Sequence, residues 1–389
     1  MPDAGFGIQN LPYGVVRRAG GPPRPVVRLG DDAVDLRGLG LRSVPATTFR
    51  NGSLNELIAL GAEAWRQARE EIAEAVREGR HEQHATPLAH AEALIPVEVG
   101  DYVDFYASIE HASNLGRMFR PDSEPLMPNW RHLPVGYHGR AGTVVVSGTP
   151  IRRPRGQRPP SEAGGTPTFG PEPRLDIELE LGFITGDGPP LGTPIPASDA
   201  RQHIFGFVLV NDWSARAIQR WEYQPLGPFL GKSFATSISP WIVPLDALEP
   251  FRVDGPEQDP PPLEYLRTDE PWSFDLALEI ELDGAVVSRT NARHLYWNAA
   301  QMLAHATVNG STVAAGDLFA SGTISGPEPG TYGSLIELSW GGRDAIATPR
   351  GERTFLEDGD TVVLRGAGGG DERPVVSFGE VAGTISPAR

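Results

Sequence analysis

The chain has 389 residues, 39% of them hydrophobic, which is enough for one large domain plus a smaller one around a real core. Its 50 acidic residues outnumber 34 basic ones and give a formal net charge of −16, which argues against nucleic acid or an anionic membrane as a partner. It has no cysteine, so disulfides, thiolate metal sites and cysteine nucleophiles are excluded, and any metal must be held by oxygen or imidazole.

The 46 glycines and 38 prolines are spread along the chain as turn punctuation, which predicts a mainly β (α+β) architecture of many short strands. The amino end, MPDAGFGIQNLPYG, shows no apolar stretch after a basic start, and no run approaches the ~18 apolar residues of a spanning helix; the expectation is a cytoplasmic protein. Up to about residue 50, Val26 to Leu29 and Ala33 to Leu36 read as strands between Gly and Asp turns. Ser53 with Glu56 three residues on is a capping-box pattern, and Leu54, Ile58, Trp65, Ala68, Ile72 and Val76 then follow at helical spacing, predicting one long helix that stops at Gly79. The polar, His-containing segment 80–91 reads as a linker, which puts a domain boundary near residue 96 and gives units 1–96 and 97–389.

Tyr102 to Tyr106 alternates as a strand, and Ser108 then caps a predicted helix whose first turn holds His111. Gly142 to Val146 and Ile204 to Val210 are apolar strand candidates. Between them lies Arg174 to Leu181, in which Leu175, Ile177, Leu179 and Leu181 alternate with Asp176, Glu178 and Glu180. This is the period of a half-buried strand with all three carboxylates on one face, so the acids meet either bulk water or a cation. After Val210 a short helix would place Asp212, Arg216, Gln219 and Tyr223 on one stripe, opposite Trp213, Ile218 and Trp221. Residues 251–272 read as Pro-rich loop, Leu295 to Ala306 as an amphipathic helix, and Thr331–Trp340, Thr361–Leu364 and Pro374–Ile385 as strands, with Gly366 to Gly370 a mobile hairpin loop. Gly231, Lys232 and Ser233 do not make a phosphate loop, because Leu226 stands where the first glycine belongs and Pro228 lies inside the loop.

Three blocks carry more than pattern: DFYASIEHASNLGRMFR with MPNWRHLPVGYHGRAGTVVVSGTPIRRPRGQ, RLDIELELGF, and NDWSARAIQRWEYQPLGPFLGKSFATSISPW. Together with SGTISGPEPGTYGSLIELSW the sequence resembles the fumarylacetoacetate hydrolase family, C–C bond hydrolases of tyrosine and phenylalanine breakdown, most specifically from about residue 97 onward. The resemblance implies an SH3-like amino-terminal barrel followed by a mixed β-roll, a homodimer, and a small dianionic diketo acid as substrate. It places Ca2+ ligands at Asp104, Glu178, Glu180 and Asp212, with Mg2+ beside Asp212 near Lys232 and Thr236. It makes His111 the general base and Glu337 its orienting acid, with Arg216, Gln219 and Lys232 stabilising negative charge, and Tyr106, Arg120, Tyr137, Gln219, Tyr223 and Thr323 contacting substrate. Where relatives commonly read SARDIQQWEY, this chain has Ala217 and Arg220. Two alternatives stay open on sequence alone: an acylpyruvate hydrolase or decarboxylase of the same superfamily, and a calcium-binding protein without catalysis.

Overall fold

Short β-branched runs separated by glycine turns form the strands Tyr13–Arg18, Pro23–Leu29 and Asp32–Asp35 of a computed structural model that describes residues 5–162, 164–370 and 373–389. With Ala85–Pro87 and Ala91–Leu94 they make a five-stranded, wholly antiparallel half-barrel, and those last two strands lie in or next to the stretch expected to be a linker. Polar composition misled there because both strands lie at the sheet's edges, where one side of the backbone and many side chains face water.

The long helix is also interrupted. A single turn, Asn55–Ile58, is followed by Gly61 in a left-handed conformation (φ 83°), and the main helix runs Ala62–Arg77 with Trp65, Ala68, Ile72 and Ala75 buried. Ser53 caps neither piece: Leu54 and Gly61 hold the two N-cap positions.

The larger region is built on a mixed sheet, ordered Gly136–His138, Tyr102–Phe105, Leu318–Ala320, Leu179–Thr185, Ile204–Asp212, Thr236–Ile238, Val144–Val146. Tyr102–Phe105 with Leu318–Ala320, and Thr236–Ile238 with Val144–Val146, are parallel; the other pairings in that order are antiparallel. A second sheet holds Ala277–Leu282, Ala285–Asn291, Thr361–Gly370 and Arg373–Ser386, with the short Ile151–Arg152 on its edge. Gly366 and Gly368, expected in a loop, therefore lie within a strand. A Cβ at Gly366 would come within 3.0 Å of the side chains of Leu209 and Leu278, so the glycine lets two layers approach. The predicted helix near residue 300 is shorter than expected, Ala299–Thr307, with a capping box of Asn298 and Gln301. Among the described residues no helix is long and apolar enough to cross a membrane.

Side-chain alternation gives the large sheet two unlike faces. Phe105, Leu179, Leu181, Phe183, Phe207, Leu209 and Phe319 point one way into a continuous apolar core. Tyr102, Ile184, Val208, Val210, Ile238 and Leu318 point the other way, into a core shared with the half-barrel and its helix, where Phe205 is held between Tyr13 and Trp65 at ring distances of 5.2 and 5.3 Å. Further along the same strands, on that second face, stand Asp104, Glu180, Asp212 and Thr236.

Candidate active site

The stretch Arg174–Leu181 is two short pieces. Leu175–Asp176 pairs with Ser214–Ala215, and Leu179 begins a strand of the large sheet. All of Leu175 to Leu181 is buried, so no solvated face exists, and the kink sends the three acids to three different tasks.

Asp176 accepts from Arg216 Nε at 2.8 Å and from the backbone N–H groups of Leu335 and Ile336 at 2.8 and 3.1 Å. It thereby ties Arg216 to the start of the one-turn helix Leu335–Leu338, which replaces the strand expected across Thr331–Trp340. Glu178 lies against Arg216 Nη2 (2.8 Å) and forms an ion pair with the Lys232 ammonium, which also donates to Asp212 Oδ2 at 2.6 Å. Burial alone would raise the Glu178 carboxyl, but Lys232 and then Arg216 pull it well below the usual range. Glu180 faces Asp104 and Asp212, and one ligand oxygen from each of these three lies within 4.8 Å of the others.

This acidic group is short of positive charge. Tyr137 donates to Asp104 Oδ2 (2.8 Å) and Asp212 Oδ2 (3.2 Å), the Gly322 N–H to Glu180 Oε2 (3.2 Å), and Thr236 to Asp212 Oδ1 (3.3 Å), yet Asp104 Oδ1 and Glu180 Oε1 are buried with no hydrogen-bond partner. Burial, and next the charge of Asp212, push the Asp104 carboxyl well above its ordinary range; burial, and next Asp104, do the same to Glu180. Orphaned anionic oxygens in a hard-oxygen cluster are the donor set of a divalent cation, so these residues could hold one.

Beside it lies a second constellation. Ser108 caps the helix Ile109–Phe119 as expected, placing His111 in its first turn, buried and edge-on to the Tyr106 ring at 5.3 Å. His111 Nδ1 lies 2.6 Å from Glu337 Oε2. Glu337 also accepts from Asn114 Nδ2 (3.0 Å), Ser325 Oγ (2.9 Å) and Ser334 Oγ (2.7 Å). A carboxylate with this many donors is acceptor-only, so a ring proton sits on Nδ1, while Nε2 lies 3.8 Å from Glu178 Oε1. Burial works against the Glu337 charge, but His111 and the donors hold its carboxyl below the ordinary range.

Asp212 belongs to the strand Ile204–Asp212 and not to the helix, which starts at Arg216 and ends at Glu222. Of the expected stripe, Arg216 and Gln219 remain joined (Nη1 to Oε1, 3.2 Å), while Tyr223 is 42% exposed and bonded to Gln224 rather than drawn inward. Thr323 Oγ1 and Arg120 Nε are buried without partners, and Arg120 donates through Nη2 to the Pro125 carbonyl at 2.9 Å. The sequence reading missed Asp176 as a joint, and also Glu172, which accepts from the N–H groups of Arg174, Ala217 and Ile218. It also missed Asn114, Ser325 and Ser334. Ser334 alone left a signal, the S-x-x-E spacing to Glu337.

Models of a fumarylacetoacetase amino-terminal region and a fumarylacetoacetate (FAA) hydrolase carboxy-terminal region match residues 9–101 and 102–385. A fumarylacetoacetase of Rattus norvegicus is 48% identical over 99% of this chain and 97% of its own length, and one of Arabidopsis thaliana is 46% identical over the same shares. Solved structures of like fold include a fumarylacetoacetate hydrolase from Exiguobacterium antarcticum (TM-score 0.58, 17% identity, 97% of this chain and 99% of that one). They also include a 5-carboxymethyl-2-hydroxymuconate delta-isomerase from Mycobacterium smegmatis (TM-score 0.53, 18% identity, the same coverage). The fold thus carries more than one chemistry.

Proposed function

The chain belongs to the fumarylacetoacetate hydrolase family, and from that premise we propose how its own residues carry the family reaction. The protein is a C–C bond hydrolase that cleaves 4-fumarylacetoacetate to fumarate and acetoacetate, a step of tyrosine breakdown. The observation that carries the residue assignment is the His111–Glu337 pair standing beside an acidic group with unsatisfied oxygens.

His111, neutral with its lone pair on Nε2, takes a proton from water as that water adds to the carbonyl next to the fumaryl group; Glu337 balances the imidazolium that results. Collapse of the tetrahedral adduct breaks the C–C bond and leaves its electron pair on the acetoacetate fragment as an enolate, which then takes a proton. Lys232 remains an ammonium, because Asp212 and Glu178 outweigh the burial that opposes its charge, and with Arg216 and Gln219 it faces the developing negative charge. Arg120 receives a substrate carboxylate, Tyr106, Tyr137 and Thr323 line the diketone, and Tyr223 is the outermost contact.

We assign Ca2+ to Asp104, Glu180 and Asp212 with Glu178 as a fourth carboxylate, and Mg2+ to the Asp212–Thr236 side. The Lys232 side chain has no lone pair, so it is a counter-charge there and any ligand it supplies is its carbonyl. When bound, a hard divalent ion supplies Lewis-acid polarisation of the two diketone carbonyls. A cytoplasmic homodimer completes the reading, on family likeness alone. The test is incubation with fumarylacetoacetate, following loss of ultraviolet absorbance and release of fumarate and acetoacetate. One-to-one products, activity lost to chelator and restored by Ca2+ or Mg2+, are expected; carbon dioxide in place of fumarate, or full turnover by metal-free protein, would overturn it.

A further inference from the structure

Against a net charge of −16, one cavity is basic. It encloses about 310 Å³ and is lined by Arg158, Arg174, Arg216 and Arg220, with Ala217 and Ser161 among the remaining wall residues. Regular elements supply part of its wall. The hairpin of Arg155–Arg158 and Thr168–Pro171 packs against the helix Arg216–Glu222, so tightly that a Cβ on Gly156 would come within 2.7 Å of Ile218.

Arg216 is committed to Asp176 and Glu178 on the other side. Among the described residues, no carboxylate lies within ion-pair distance of Arg158, Arg174 or Arg220. Arg158 donates Nη1 to the Pro171 carbonyl (3.0 Å) and keeps a buried Nε with no partner, and Arg174 rests on the Phe355 ring at 5.3 Å. The nearby Glu172 spends its oxygens on backbone N–H groups. Arginines that line one pocket without carboxylate partners leave their N–H donors for a ligand, and a guanidinium suits a carboxylate or phosphate.

We propose that this cavity binds a small multivalent anion, a dicarboxylate or a phosphate, at a site separate from the diketone. Arg158, Arg174 and Arg220 supply the recognition, and Arg216 at the back joins the cavity to the catalytic cluster.

The experiment is calorimetric titration, at fixed ionic strength, of inorganic phosphate and separately of succinate into the full-length protein, into Arg174→Gln/Arg220→Gln, and into Ala217→Asp, which sets a carboxylate in the wall. The expected result is one saturable anion per chain, bound at least roughly tenfold more weakly by both variants, with kcat/KM for fumarylacetoacetate unchanged and melting curves that remain cooperative. Saturation by phosphate alone or by succinate alone supports the site and names its ligand. Equal affinity in all three proteins places the anion elsewhere and overturns the proposal, as does no saturable binding of either anion. Should Ala217→Asp fail to fold, the arginine pair decides alone.

Discussion

Two groups of buried acids lie side by side and are balanced in opposite ways. Asp176, Glu178 and Glu337 each have their compensation written into the chain: a guanidinium, an ammonium, a histidine, or a set of hydroxyl, amide and backbone donors. Asp104 and Glu180 do not, and each retains a bare oxygen. Asp212 sits on the border, answering to Lys232 on one side and to the unpaired acids on the other. The difference teaches that burial of an acid says nothing about its task until its partners are counted: the paired side holds fixed geometry, and the unpaired side holds a standing demand for a cation.

The largest expected effect breaks the paired side. Glu337→Gln keeps the shape of the residue but removes its charge and turns one of its two acceptor oxygens into an N–H donor, which disturbs the His111 tautomer, and turnover should fall on the order of 10⁴, as in the analogous serine-protease change. On a His111→Ala background the same substitution should cost little more, since groups that work as one unit are strongly non-additive. Equal losses on both backgrounds, with metal content unchanged, would dissolve the dyad.

Stability should then separate the two sides by sign. In chelator-stripped protein at neutral or higher pH, Glu178→Gln leaves Lys232 and Arg216 under-balanced and should lower the unfolding free energy by roughly 3–5 kcal/mol. Glu180→Gln removes an uncompensated charge and should raise it, at about 1.4 kcal/mol for each pKa unit of upward shift relieved. Both substitutions should weaken metal binding and activity. Denaturant melts of the two stripped variants give the comparison, and a fall in both would mean that the two groups are not balanced differently.

The smallest effect concerns pH. A carboxyl raised in the folded state makes its full contribution to stability below its unfolded pKa and loses it as pH climbs from there through the folded pKa, so the stripped protein carries the penalty at high pH and loses it on acidification. A bound cation removes that penalty. The gap in Tm between metal-loaded and stripped protein should therefore narrow by several degrees from about pH 8 to about pH 5, and a constant gap would count against the raised carboxyls.

Much of this was legible in the sequence where a local signal existed. Ser108 before His111, the apolar run at Ile204–Val210, and the alternation at Tyr102–Phe105 all correspond to what formed. What could not be read was set by distant partners. The helix that carries Glu337 is a single turn, too short for any period, and its first N–H groups are satisfied by Asp176, 159 residues away in sequence. The kink that sends Asp176, Glu178 and Glu180 to three environments leaves the hydrophobic alternation untouched, so a pattern that reads as one anionic face conceals three roles. Gly61 sits inside a faultless helical spacing and breaks it nonetheless. The edge strand Ala85–Pro87 has the composition of a loop.

The shared face of the large sheet makes each strand a ruler. Along Ile204–Asp212 the apolar marks at Val208 and Val210 come first and the acid mark at Asp212 comes next, and the zero of the scale is set where Tyr13 and Trp65 clasp Phe205. Inserting one residue between the clasp and the acid would swing Asp212 into the oily layer of Leu209, and inserting two would leave Val210 where the carboxylate belonged. Among the described residues no hydrogen bond or ion pair joins the half-barrel to the reacting groups, yet it is the jig that determines where the acids emerge, so a lesion in its packing would surface as a chemical defect some distance away.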